Sequence, residues 1–163
     1  MSTKFFNNAP GNTLFDKLKG IASDMTTFDR FLAVVGFFRS SGYFKLRKEL
    51  GDISEIKILV GINIDDIFRK HNKALLMLAD AEKAKEVYQE GFKEDVINAQ
   101  YSSEVEQGIL QMCEDFASGR LQMRIHATKN LHAKFYLCLP ETHSEHSDGW
   151  VIMGSSNISD SGL

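Results

Sequence analysis

The chain has 163 residues, of which 43% are hydrophobic and 25% charged. That composition fits one soluble globular domain with a core of its own, and it excludes a disordered, collagen-like or disulfide-stapled chain. The formal net charge of −3 supplies no global positive field, so any anion-binding site must be built locally.

Along residues 13–24, Leu14, Phe15, Leu18, Ile21 and Ala22 recur at helical spacing, with Asn12 or Thr13 available as the cap. The unbroken apolar run from Phe31 to Phe38 predicts a strand buried on both faces. Ser40-Ser41-Gly42 is a turn and cap signal, and a helix is expected from Tyr43 to Leu50. Lys57 to Ile62 predicts a second buried strand. Leu75, Leu78, Ala79, Glu82 and Glu86 set a long amphipathic helix near 70–90, whereas 91–100 has no clear period. A further helix over 103–118 carries Val105, Ile109, Met112 and Phe116. Short strands follow at Leu121–Ala127, Leu131–Leu139 and Trp150–Ser155, the last two as a terminal hairpin. No proline separates these elements between Pro10 and Pro140. The order predicts a single α/β domain over 1–163, a mixed sheet flanked by helices.

Cys113 and Cys138 sit among apolar neighbours and form no CxxC pair, which predicts two buried free thiols in a reducing compartment. No basic-then-apolar leader opens the chain, and no apolar run approaches the ~18–20 residues of a membrane span. A cytoplasmic protein with no membrane partner is expected. Charge segregates late. Glu94 to Gly119 holds acidic residues and no basic one, whereas Arg120 to Pro140 holds Arg120, Arg124, Lys129 and Lys134 and no acidic one. Such runs are either solvated faces or, for the basic stretch, a strand region built to meet an anion.

Side chains alternate along a strand. His132, Lys134, Tyr136 and Cys138 therefore share one face of 131–139, and Leu131, Ala133, Phe135, Leu137 and Leu139 share the other, which is expected to pack into the core. A hairpin with Leu139 opposite Trp150 sets Lys134 opposite Ser155 and His132 opposite Asn157. An imidazole, an ammonium, a hydroxyl and a carboxamide then converge, and Gly154 leaves room for close approach. A one-residue slip would be expected to break this cluster. Lysine and asparagine can hold non-bridging phosphate oxygens and stabilise a five-coordinate transition state. Neutral histidine can attack phosphorus.

His132-x-Lys134 followed by Gly154-Ser155-x-Asn157 resembles the HxK(x)4D…GSxN signature of the phospholipase D superfamily. The likeness is to its bacterial nuclease branch, found at the N-terminus of superfamily II helicases and in restriction enzymes. It covers about residues 130–163, and the upstream order of elements, including Gly36-Phe37-Phe38-Arg39-Ser40-Ser41-Gly42, agrees with that family's α-β-α sandwich. The resemblance implies a phosphodiesterase that needs no metal or other cofactor, most simply a DNA endonuclease domain. His132 would be the nucleophile and, from a second copy, the general acid. Lys134 and Asn157 would hold the phosphate, with Ser155 and Ser156 assisting as substrate-binding groups. Because the chain carries one motif and such sites need two, a homodimer with the site on its two-fold axis is implied. DNA is the expected partner before RNA, with a C-terminal helicase domain in a longer protein of which this chain is the N-terminal part.

Two features depart from the pattern. Leu139 stands where the motif has aspartate, so the histidine must be oriented by a group outside the motif. The loop between the motif halves is also lengthened, mainly through Glu141–Asp148. The missing aspartate supports an alternative, a catalytically weak nucleic-acid-binding module assisting an attached helicase. His143 and His146 have the spacing of metal ligands but lie in a polar loop without a second pair, and four well-spaced ligands are wanted. His126 and His71 read as edge or surface residues. Arg39, Ser40 and Ser41 stand at the C-terminal edge of the first strand, where they can meet a phosphate or simply cap a helix. No GxSxG and no GxxxxGK[ST] occurs. The many phenylalanines read as core material rather than a stacking platform.

Overall fold

A reciprocal cap starts the first helix, α1 (Leu14–Asp24). Thr13 Oγ1 accepts from the Asp16 backbone N–H at 3.1 Å, and the Asp16 carboxylate accepts from the Thr13 N–H at 2.9 Å. These bonds hold the Asp16 carboxyl below its ordinary pKa. The computed structural model describes residues 5–7, 9–24, 28–61, 102–126, 131–159 and 161–163. The helix expected near 70–90, the ambiguous 91–100 and His71 lie outside them.

Five strands form one mixed sheet: β1 (Phe28–Val35), β2 (Glu55–Gly61), β3 (Leu121–His126), β4 (Phe135–Pro140) and β5 (Trp150–Met153). Their order is β3-β2-β1-β4-β5. The first three run parallel, β4 runs antiparallel to β1, and β5 antiparallel to β4. Beside the sheet stand α1, α2 (Ser40–Leu50) and α3 (Ser103–Ala117). The α3 start is capped by Ser102 Oγ, which accepts from Val105 N–H at 3.2 Å. Among the described residues no helix is long and apolar enough to cross a membrane.

Register decides which face carries the core. Phe31, Ala33 and Val35 of β1 stand opposite Ile56, Ile58 and Val60 of β2. On the other side, Phe31 and Ala33 meet Cys138 and Tyr136 of β4. All are buried and form one cluster with Leu14 and Leu18 of α1, Tyr43, Leu46 and Leu50 of α2, and Met112 of α3. The three helices thus cover the Tyr136–Cys138 face of β4, not the Phe135–Leu139 face that its apolarity suggested. Phe135, Leu137 and Leu139 are half-buried instead. β4 also begins at Phe135, four residues later than expected, because residues 131–134 leave the ladder.

α3 turns part of its apolar stripe inward, with Met112 buried and Val105 and Ile109 half-buried, and adds two residues that the stripe does not mark. Gly108, Met112 and Asp115 are buried, whereas Phe116 and Leu110 are exposed. The reason is polar. Asp115 accepts from Tyr43 Oη and Arg47 Nε, each at 2.7 Å, and from Arg120 at 3.3 Å, which ties α3 to α2. Arg120 is therefore an internal partner and not part of an anion-facing patch. Cys113, one residue beyond the inward Met112, is exposed, contrary to expectation, while Cys138 is buried.

Candidate functional site

β1 and β2 end in step. Val35 pairs with Val60, so Gly36 and Gly61 follow side by side. Because β4 runs the other way, its beginning lies at this same end of the sheet, and so does the end of β5. Three segments meet there: Gly36–Arg39, Leu131–Lys134 and Gly154–Asn157. It is the carboxyl edge of the parallel strands, where α/β sheets take their ligands. The segment before β4 crosses directly over the two glycines. A side chain at Gly61 would collide with the Leu131 carbonyl, and a methyl at Gly36 would stand 3.4 Å from that same oxygen.

Lys134 is the centre of the cluster. It is only 7% exposed. Its Nζ lies 2.8 Å from the His132 carbonyl oxygen, 2.9 Å from Nδ1 of the same residue and 3.2 Å from Nε2. An ammonium only donates, so the ring nitrogen that it bonds is the unprotonated one. Burial pushes the Lys134 pKa below its ordinary value. Among the described residues Lys134 forms no ion pair with a carboxylate. His132 itself is exposed.

Asn157 reaches the same point from the other side. The position a Gly36 Cβ would take is 3.4 Å from Lys134 Nζ and 3.6 Å from Asn157 Oδ1. Phe37 N–H donates to Asn157 Oδ1 at 3.0 Å. With its oxygen so engaged, the carboxamide has its two N–H donors left for a further acceptor. The loop behind it is fixed by Tyr136 Oη, which donates to the Ser156 carbonyl at 2.6 Å.

The hairpin register differs by one residue from the expected one. Cys138, not Leu139, stands opposite Trp150, and Gly154, not Ser155, meets Lys134, with Gly154 N–H donating to the Lys134 carbonyl at 3.3 Å. The slip does not scatter the cluster. Asn157 comes to Lys134 through the exit segment of β1 and not across the ladder from His132. Ser155 is left exposed, and Ser156 is buried with its carbonyl on Tyr136. The open space expected at Gly154 is taken by the Phe6 ring, 2.9 Å from where a Cβ would be.

Position 139 is far from the site. Leu139 pairs with Arg30 near the start of β1, roughly 17 Å along the strand from Lys134 at about 3.4 Å per residue. No side chain there could touch His132. His143 and His146 lie in the exposed loop between β4 and β5, with His143 Nδ1 3.0 Å from Ser147 Oγ. Among the described residues no three His, Cys, Asp or Glu side chains gather as a metal's ligands would. Sequence reasoning missed the parts played by Gly36, Gly61 and Tyr136. The signal for the glycines was present, since the apolar runs of β1 and β2 both close on Val-Gly. No family model matches the chain, and no curated protein matches it.

Proposed function

We propose that this domain is a metal-independent phosphodiesterase, most simply a DNA endonuclease of the phospholipase D type, with an α-β-α sandwich completed around the sheet described above. The observation that carries the reading is Lys134: a buried ammonium, paired with no carboxylate among the described residues, beside an imidazole and a carboxamide at the carboxyl edge of a sheet. A buried unpaired cation is costly unless an anion completes it. A phosphodiester supplies the negative charge and the non-bridging oxygens that Lys134 and the Asn157 N–H donors can hold.

His132 is the nucleophile of this reading. Lys134 turns its N–H from the unprotonated ring nitrogen to a phosphate oxygen, the freed nitrogen attacks phosphorus, a P–N bond forms, and the ester P–O bond breaks. The leaving oxygen takes its proton from His132 of a second copy, and water activated by that same imidazole then splits the P–N bond. Two copies meeting on a two-fold axis supply both histidines. A longer native protein with an attached helicase or restriction module fits the same reading, as does DNA before RNA.

A second reading keeps the phosphate grip without turnover. It is favoured by the surroundings of His132, whose ring has Lys134 and no carboxylate as a hydrogen-bond partner among the described residues. Here the domain binds nucleic acid for an attached helicase. Turnover separates the two. Supercoiled plasmid and a labelled single strand are incubated in excess EDTA with wild type and with His132→Ala. The enzyme reading expects strand breaks from the wild type that vanish in the variant. Binding by both proteins with no breaks from either would leave the binding module.

A further inference from the structure

Asn157 stands on a segment that has left the sheet. β5 ends at Met153, and Gly154 and Ser155 are exposed. At Ser156 the chain turns back in, and the carbonyls of Ser156, Asn157 and Ile158 are all taken. Tyr136 Oη donates to the first at 2.6 Å, Ser159 N–H to the second at 3.0 Å and Arg39 N–H to the third at 2.8 Å. The last two donors are backbone groups, whereas the first is a side chain from β4. Tyr136 is only 1% exposed, and its ring stacks on Phe31 of β1 with 6.2 Å between centroids. Burial pushes the phenol pKa up, so the hydroxyl keeps the proton that it donates. Tyr136 follows Lys134 by two residues on the same stretch of chain. A peptide unit is planar, so the plane that holds the Ser156 carbonyl also holds the nitrogen and Cα of Asn157.

We propose that Tyr136 is a positioning residue of the site: through the Ser156 carbonyl it sets where the Asn157 carboxamide stands relative to Lys134. The inference rests on the reading of the Lys134 pocket as a phosphodiester site and adds a residue that acts on the phosphate only through another. Lys134 carries its ammonium on a long, flexible stem. Asn157 has a short one, so its N–H donors go where its backbone puts them. That backbone is fixed through the Ser156 carbonyl, and Phe37 N–H fixes the carboxamide oxygen at 3.0 Å. Because Tyr136 and Lys134 share one stretch of chain, the phenol ties the second phosphate holder to the element that carries the first. Two donors serve one phosphate group only when their separation matches its oxygens, and this bond sets that separation.

The test is a double-mutant cycle read in phosphate binding. The full chain is titrated by fluorescence anisotropy with a labelled single-stranded oligodeoxynucleotide and with the same strand carrying neutral methylphosphonate linkages. The ratio of the two affinities is read within each protein, so a loss of folded material cancels and a merely structural role leaves the ratio alone. Tyr136→Phe is expected to lower the ratio about fivefold, the net worth of one hydrogen bond, and to leave it unchanged in the Asn157→Ala background. Tyr136→para-aminophenylalanine keeps the ring with a weaker donor, so it serves where phenylalanine does not fold. It is expected to lower the ratio part of the way, again only with Asn157 present. An equal factor with and without Asn157, or no change in either background, overturns the inference. Lys134→Met and Asn157→Ala are each expected to lower the ratio. If only Lys134→Met does, the inference falls and the pocket stands. If neither does, the phosphodiester pocket itself is wrong, whatever Tyr136 does.

Discussion

An ammonium sunk into the end of a sheet, with no carboxylate beside it among the described residues, works against folding, so Lys134 gives two opposite expectations. Lys134→Met should leave the thermal midpoint unchanged or raised, while DNA binding measured on the same preparation is lost. A midpoint that falls by many degrees would make Lys134 a structural residue instead. The two strand-end glycines divide the same way. Gly61→Ala puts a methyl into the Leu131 carbonyl, and overpacking against backbone should cost about 3 kcal/mol in urea unfolding. Gly36→Ala meets only ordinary contacts at 3.4 and 3.6 Å. It should fold normally and weaken anion binding, because its methyl stands between Lys134 and Asn157. His132, Lys134 and Asn157 were legible in the sequence as chemistry-bearing types at strand spacing. Their convergence was expected from a hairpin register that is one residue off, and the route by which they meet was not legible. It depends on where β4 and β5 leave the ladder, which alternation alone does not encode.

Among the elements, α3 is fixed by one carboxylate. Burial pushes the Asp115 pKa up, but hydrogen bonds from Arg47 and Tyr43 outweigh it and hold the carboxyl below its ordinary value. A depressed carboxyl stabilises the fold fully above the unfolded pKa of about 4, and that contribution fades as pH falls through the folded value. Urea midpoints of the wild type should therefore drop steeply below pH 4, and Asp115→Asn should flatten that slope. Asp115→Ala should cost about 3–5 kcal/mol at pH 7, because it strands the buried Arg47. The thiols test the orientation of α3 and β4 independently. Burial pushes Cys138 up to about 12, while Cys113 is exposed. A thiol reagent should label Cys113 in the folded protein and reach Cys138 only after denaturation. The helix over 103–118 was legible from its spacing, and so was the burial of Met112, but that of Asp115 was not, since an acid buried by two arginines and a tyrosine looks like surface in a sequence.

For the whole molecule, the alternation of helices and strands was enough to foresee a mixed sheet, because apolar runs without proline and turn signals between them leave few other arrangements. The parallel β1–β2–β3 set with an antiparallel β4–β5 hairpin brings the end of one strand pair to the beginning of another. That topology is what lets residues near 36, 132 and 157 lie together at one edge of the sheet despite their separation in sequence. The proposed completion of the site by a second copy makes a further demand on the assembly. Mixing wild type with excess His132→Ala should depress cleavage below the wild-type share, whereas independent monomers would keep that share. The most direct measurement is the covalent intermediate. Wild type and His132→Ala are mixed in EDTA with DNA carrying radiolabelled phosphate at internal linkages, quenched within one turnover and separated under denaturing conditions. The account predicts label on the wild-type protein that is stable to base, labile to acid and absent from His132→Ala. Cleavage of the DNA with no label on the protein at any time would contradict it.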